Sequence, residues 1–174
     1  VYAGGTEPTV SAVVAVSVQQ PVSNDHQLAR LLQIGVVLEE VVEARAGEHA
    51  RTMDVDDPEL EALLDDAARE SADHRDRLED LIDDLEADTI PFEEIKGLVT
   101  AQYEAESDFD GVLYDQLCNE ETAYKFYDDL IEAIENSDAT LSVDREYVVD
   151  TLAAIRDEEA EGVEEVTELM EKRE

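Results

Sequence analysis

Residues 109–131 read FDGVLYDQLCNEETAYKFYDDLI, and the placement of one acid within this stretch decides how the chain is read. At about 100° per residue, positions three, four, seven or eleven apart share a face of an α-helix. Phe109, Leu113, Glu120, Tyr127 and Ile131 then form one stripe, while Glu121 points aside. A buried ionised carboxylate is costly unless it is paired or binds a metal, so Glu120 marks a polar point inside an apolar face.

The same construction finds three more such points. Glu39 falls with Leu28, Leu32, Gly35, Val42 and Ala46 on a first helix that starts at Ser23-Asn24-Asp25 and runs to about Arg51. His74 falls with Leu60, Leu64, Ala67, Ser71, Leu78, Leu81 and Leu85 on a second, capped by Asp56-Asp57-Pro58 and continuing to about Ala87. Glu159 falls with Val148, Leu152, Ile155, Val163, Val166 and Met170 on a fourth, from about Asp144 to Lys172. Capping residues and a proline at the first helical position give these starts their physical basis. The third helix spans about Phe109 to Asn136, with a turn at Asn136-Ser137-Asp138.

Counted from turn centres near residues 54 and 140, the polar residues lie roughly 15 to 20 residues out on every helix, so a rise of about 1.5 Å per residue lets all four share one layer. Imidazole with carboxylates suits iron, manganese or zinc. The plainer alternative is that His74 is a hydrogen-bonded core histidine and the inward acids pair with Arg30, Arg45 or each other through a proton. Tyr124 and Tyr127 read as core-packing groups and Cys118 as a small buried side chain. His26 and His49 have no ligand constellation.

Residues 88–108 form a long connection with a short helix expected from Phe92 to Ala105. The chain is therefore all-α, a four-helix bundle domain over residues 22–174 made of two hairpins joined by a long crossover. Residues 1–21 differ: Val10, Ala12, Val14, Val16 and Val18 alternate with Ser11, Val13, Ala15, Ser17 and Gln19, the pattern of a half-buried strand. This N-terminal extended arm has no strand partner later in the chain. It is expected to pair with another subunit, dock on a helix, or be a remnant of processing.

The segment Asn119-Glu120-Glu121-Thr122-Ala123-Tyr124-Lys125-Phe126-Tyr127 resembles the third helix of the ferritin-like superfamily, especially of rubrerythrin-like proteins. The resemblance covers about residues 24 to 172. It implies a di-metal centre drawing one Glu from each of two helices and a Glu-x-x-His from each of the other two. On that mapping Glu39 and Glu120 are the single acids, His74 completes the second-helix motif and Glu159 begins the fourth. The chain departs from the pattern at Ser71, where a glutamate is expected, and at Gly162, where a histidine is expected. Glu70, Glu43, Tyr124 and Tyr127 are the groups available to fill those gaps.

Charge narrows the function classes. A formal charge of −36, from 48 acidic and 12 basic residues, repels phosphate backbones and disfavours nucleic-acid binding. It resembles the surfaces of cytosolic proteins from salt-accumulating halophiles. Hydrophobic residues make up 43% and keep helical spacing, which argues against disorder. No membrane span is expected, since even Leu28 to Ala46 carries Arg30, Glu39, Glu40 and Glu43. A single cysteine and the lack of a basic flank before Val10 fit a cytoplasmic protein without a secretory signal.

The first helix is apolar on nearly every side, with Ile34, Val36, Val37, Leu38 and Val41 beside its main stripe, and this predicts a homo-oligomer with that helix at the interface. The leading expectation is a non-haem metal protein for iron handling or peroxide defence, a ferroxidase or peroxidase-type oxidoreductase if active. Iron would be held by Glu39, His74, Glu120 and Glu159, with manganese or zinc as alternatives. The competing expectation is a helical interaction protein with a degenerate site.

Overall fold

The computed structural model describes residues 20–53, 56–91, 93–96 and 111–173, and within them the chain is helical with no strand. Four long helices carry the fold: α1 (Asp25–Thr52), α2 (Pro58–Asp84), α3 (Val112–Glu135) and α4 (Arg145–Lys172). The alternating segment at residues 10–18 lies outside the described residues, and so does most of the expected short helix in the crossover. Residues 93–96 are helical. Among the described residues, no helix is long and apolar enough to cross a membrane.

Local chemistry sets the starts. Asn24 accepts the Gln27 amide, Asp57 the Leu60 amide with Pro58 in the first turn, and Asp144 the Glu146 amide. Each satisfies a donor that the first turn of a helix leaves without an intrahelical partner. At the far end of α3, Arg145 donates to the carbonyls of Ile134, Ser137 and Ala139, closing off the turn into α4. The second helix ends at Asp84, three residues earlier than its pattern suggested, because Leu85 turns extended and its amide returns to the Ile82 carbonyl.

The hairpins are α1 with α2 and α3 with α4, and they stack with α1 on α3 and α2 on α4. Contacts at the ends fix the path between them. The start of α1, the end of α2 and the start of α4 meet where Ser142 binds both Asp25 and the Glu86 amide. The end of α1 and the starts of α2 and α3 gather at the opposite end, in a cluster of Ala46, Leu60, Leu64 and Leu169 with Met53, Val112 and Leu113. The end of α2 and the start of α3 therefore lie at opposite ends of the bundle, about 40 Å apart for helices of this size.

The described part of the connection after α2, around Ile90 and residues 93–96, lies against α1. Gln33 clasps the backbone of Ile90 with two hydrogen bonds of 2.8 and 3.1 Å, and Lys96 lies 3.3 Å from Glu40. Ile90 and Ile95 then cover Ile34, Val37, Leu38 and Val41. The apolar flank of the first helix, which raised the expectation of self-association, is thus partly covered by the same chain, with Ile34, Leu38 and Val41 still only partly buried. The larger apolar cluster, including Leu28, Leu31, Leu32, Leu78, Leu130, Ile134, Leu152 and Ile155, fills the other half of the interior.

Ile95 is 6% exposed. Its replacement by Ala is expected to cost about 2 to 3 kcal/mol in urea unfolding, within the usual range for removing a buried branched side chain. A change below about 0.5 kcal/mol, typical of a surface site, would show that the crossover does not seal α1.

Candidate metal centre

Between the two apolar clusters lies a polar layer. Glu39, Ser71, His74, Gln116, Asn119, Glu120 and Glu159 are all buried there, with His74 fully enclosed. Each helix supplies at least one member because each placed a polar residue on its inward stripe. His74 Nδ1 stands 3.0 Å from Glu159 Oε1 and 3.3 Å from Glu39 Oε1. The Tyr127 hydroxyl donates to Glu39 Oε1 at 2.6 Å. Tyr127 is therefore both the core group expected and an anchor for an inward acid, whereas Tyr124 is 38% exposed rather than packed in the core.

One donor atom each from Glu39, His74 and Glu159 lie within 4.8 Å of one another. Two ligands at about 2.1 Å from a shared ion stand up to about 4.2 Å apart, so the triad closes on an ion after a small contraction. Glu120 does not join this trio. Gln116 donates to Glu120 Oε1 at 2.9 Å, and the carboxylate lies in the hollow above Gly162, where an added Cβ would come within 2.6 Å of Oε2. The glycine found in place of an expected histidine thus makes the room that Glu120 fills.

Crowding of acids sets the protonation. Burial, followed by hydrogen bonding to Glu120 and the negative charge of Glu39, drives the Glu159 pKa far above the carboxylate range, so this carboxyl keeps its proton. For His74, burial opposes the charged ring, yet the hydrogen bond to Glu39 and the charges of Glu39, Glu70 and Glu158 outweigh it and raise the pKa. Glu70, on the rim of the layer, is pushed up to about 7 by desolvation and then by the charge of Glu120. The raised pKa of Glu159, with its hydrogen bonds to Glu120 and Glu39, is in keeping with the plainer alternative of acids paired through a proton. Arg45 turns to Asp115 at 2.5 Å, and Glu43 is taken by Arg75 at 2.6 Å.

Sequence reasoning missed part of this layer. Gln116 sits one turn before Glu120 on the same stripe and could have been found by the same spacing. Asp115 is 3% exposed and draws His49 to 2.7 Å as well as Arg45, forming a satellite cluster toward the other end of the bundle. His49 thus has a carboxylate partner that its own helix gave no reason to expect. Asn119 is also buried, beside the half-buried Cys118.

Two predictions follow from this packing. Glu70 retains, when folded, a proton that the unfolded chain releases near pH 4.5. Its contribution is therefore favourable below that value and is lost as pH rises toward 7. In chelator-treated protein held in molar KCl, the melting temperature should fall across this window, and Glu70→Gln should flatten the fall by a few degrees. An unchanged slope would refute the assignment.

The second concerns Gly162. In an open helix Gly→Ala gains about 1 kcal/mol, but Gly162→Ala should be destabilising because it evicts Glu120. Combining it with Glu120→Ala should recover the loss, giving a coupling energy above about 0.5 kcal/mol in a double-mutant cycle. Strict additivity would separate the two residues. Among known proteins, no family model, curated sequence or solved structure matches this chain, and its function is read from the site itself.

Proposed function

We propose that this chain is a ferritin-like, non-haem metal-binding protein whose centre holds a single divalent transition-metal ion on Glu39, His74 and Glu159. The observation that carries the reading is the enclosure of these three donors within 4.8 Å of one another at the middle of a helical bundle. Two hairpins joined by a full-length crossover are the topology in which such centres are built from facing helices, which supports the ferritin-like assignment.

A mixed imidazole and carboxylate set favours iron, manganese or zinc over magnesium or calcium. The complete di-metal set does not fit. Ser71 offers no carboxylate, and the hollow at Gly162 is filled by Glu120, which Gln116 holds. Tyr127 orients Glu39 by donating to it, the outer-sphere support that metal ligands usually have. When iron is bound, its redox chemistry with dioxygen or peroxide would serve iron handling or peroxide defence. The chain's part is to position three donors, shelter them from solvent and hold a proton on Glu159 until the site is filled.

The competing reading, a helical interaction protein with a degenerate site, draws on the raised pKa of Glu159, whose carboxyl hydrogen-bonds to Glu120 and Glu39 without any metal. Metal analysis separates the two. Protein purified in molar KCl without a chelating tag should contain up to about one equivalent of iron, manganese or zinc. Adding Fe(II), Mn(II) or Zn(II) at about 100 times Kd should stabilise it by about 2.7 kcal/mol. Glu39→Gln should weaken this binding at least tenfold. Metal-free protein whose melting temperature ignores all three ions would leave the interaction reading standing.

A further inference from the structure

The proposed centre uses only one side of the His74 ring. The other nitrogen, Nε2, faces the rim of the bundle, 3.4 Å from Glu158 Oε2 and 3.6 Å from Glu70 Oε1. It is fully buried and makes no hydrogen bond among the described residues, and Glu70 Oε1 is likewise buried without one. A buried polar atom left unsatisfied costs roughly 1 to 3 kcal/mol, so two of them facing each other indicate a place shaped for something else.

The sequence builds this place from two short spacings. Glu70 and His74 are four apart on α2 and share a face. Glu158 and Glu159 are adjacent on α4 and point about 100° apart, so they straddle the imidazole, one at each nitrogen. The carboxylates of Glu70 and Glu158 are 31% and 38% exposed, whereas those of Glu39 and Glu159 are enclosed. Arg77 now bonds both oxygens of Glu158, at 2.9 and 2.7 Å, and is held in place by Asp73.

We propose that His74 Nε2, Glu70 and Glu158 form a second, outer site for a divalent transition-metal ion, on the opposite side of the ring from Glu39 and Glu159 and bordered by half-exposed carboxylates. An ion there takes Glu158 Oε2 from Arg77, which keeps Oε1. Imidazole selects d-block ions over calcium and magnesium, so Zn(II) is a suitable probe. A neutral imidazole has a lone pair on one nitrogen only, so the ring serves one ion at a time. Occupation of the outer site leaves the Nδ1 hydrogen directed at Glu39 and Glu159. The outer site rests on its own geometry and does not depend on the inner one being filled.

The nitrogens report separately in NMR spectra of the full chain labelled with 15N-histidine, with His26→Gln and His49→Gln variants assigning His74. Zn(II) should move the Nε2 resonance to a metal-bound position in Glu39→Gln/Glu159→Gln protein. In Glu70→Gln/Glu158→Gln protein, which changes only half-exposed groups, it should move Nδ1 alone. An Nε2 shift in the first variant with no Nδ1 response in the second would uphold the outer site and overturn the inner centre. Should the first variant not fold, the single Glu39→Gln variant gives the answer: a Zn(II) titration in which Nε2 never reaches a metal-bound position at any ratio overturns the proposal, and one in which it does supports it.

Discussion

Three carboxylates and one imidazole, buried together between two apolar clusters, set the terms for everything around them. Only one ring nitrogen is positioned to meet both Glu39 and Glu159. The pKa of Glu159 is raised by burial and by its acidic neighbours, so protonation of this carboxyl relieves part of the crowding. The rest comes from neutral dipoles, the Tyr127 hydroxyl on Glu39 and the Gln116 amide on Glu120. A layer assembled this way is a poor source of stability, because hydrophobic residues of similar volume would do as well or better without the desolvation cost. Three of its donors, on Glu39, His74 and Glu159, are close enough together that they could hold a metal ion.

The arginines around the layer reinforce this view. Arg75 holds Glu43, Arg77 holds Glu158 and Arg45 holds Asp115, so each is paired with a carboxylate outside the inner trio. A guanidinium inserted between Glu39 and Glu159 would have neutralised the site permanently. Cations at the rim instead manage the local field and leave the centre to a proton or a metal ion. With a formal charge of −36, the protein has few bases to spend, and several sit close to this layer.

Much of the architecture was legible in the sequence because helical periodicity and capping chemistry are local. Asn24, Asp57 and Asp144 announced their helices, and the inward stripes brought Glu39, His74 and Glu159 to one level. What could not be read were choices made between helices. Glu120 lay on the correct stripe, yet its carboxylate left the trio because Gly162 on α4 opened a hollow, and one helix's pattern does not report the space on another. Asp115 was missed because it lies beside the apolar stripe of α3 and its partners, Arg45 and His49, are on α1. The apolar flank of α1 was read correctly as needing cover. The source of that cover, Ile90 and Ile95, lies more than fifty residues downstream in a segment without strong periodicity.

The Glu120 and Gly162 contact also acts on how α3 and α4 find their alignment. Hydrophobic stripes tolerate sliding, since one leucine replaces another after a helical turn with little penalty. A carboxylate lodged over a glycine does not. Shifting α4 by one residue in either direction would bring Glu161 or Val163 toward the space that only an absent side chain leaves open. The pair therefore works as a polar key in a backbone notch, specifying a single register for a hairpin whose apolar residues alone would permit several.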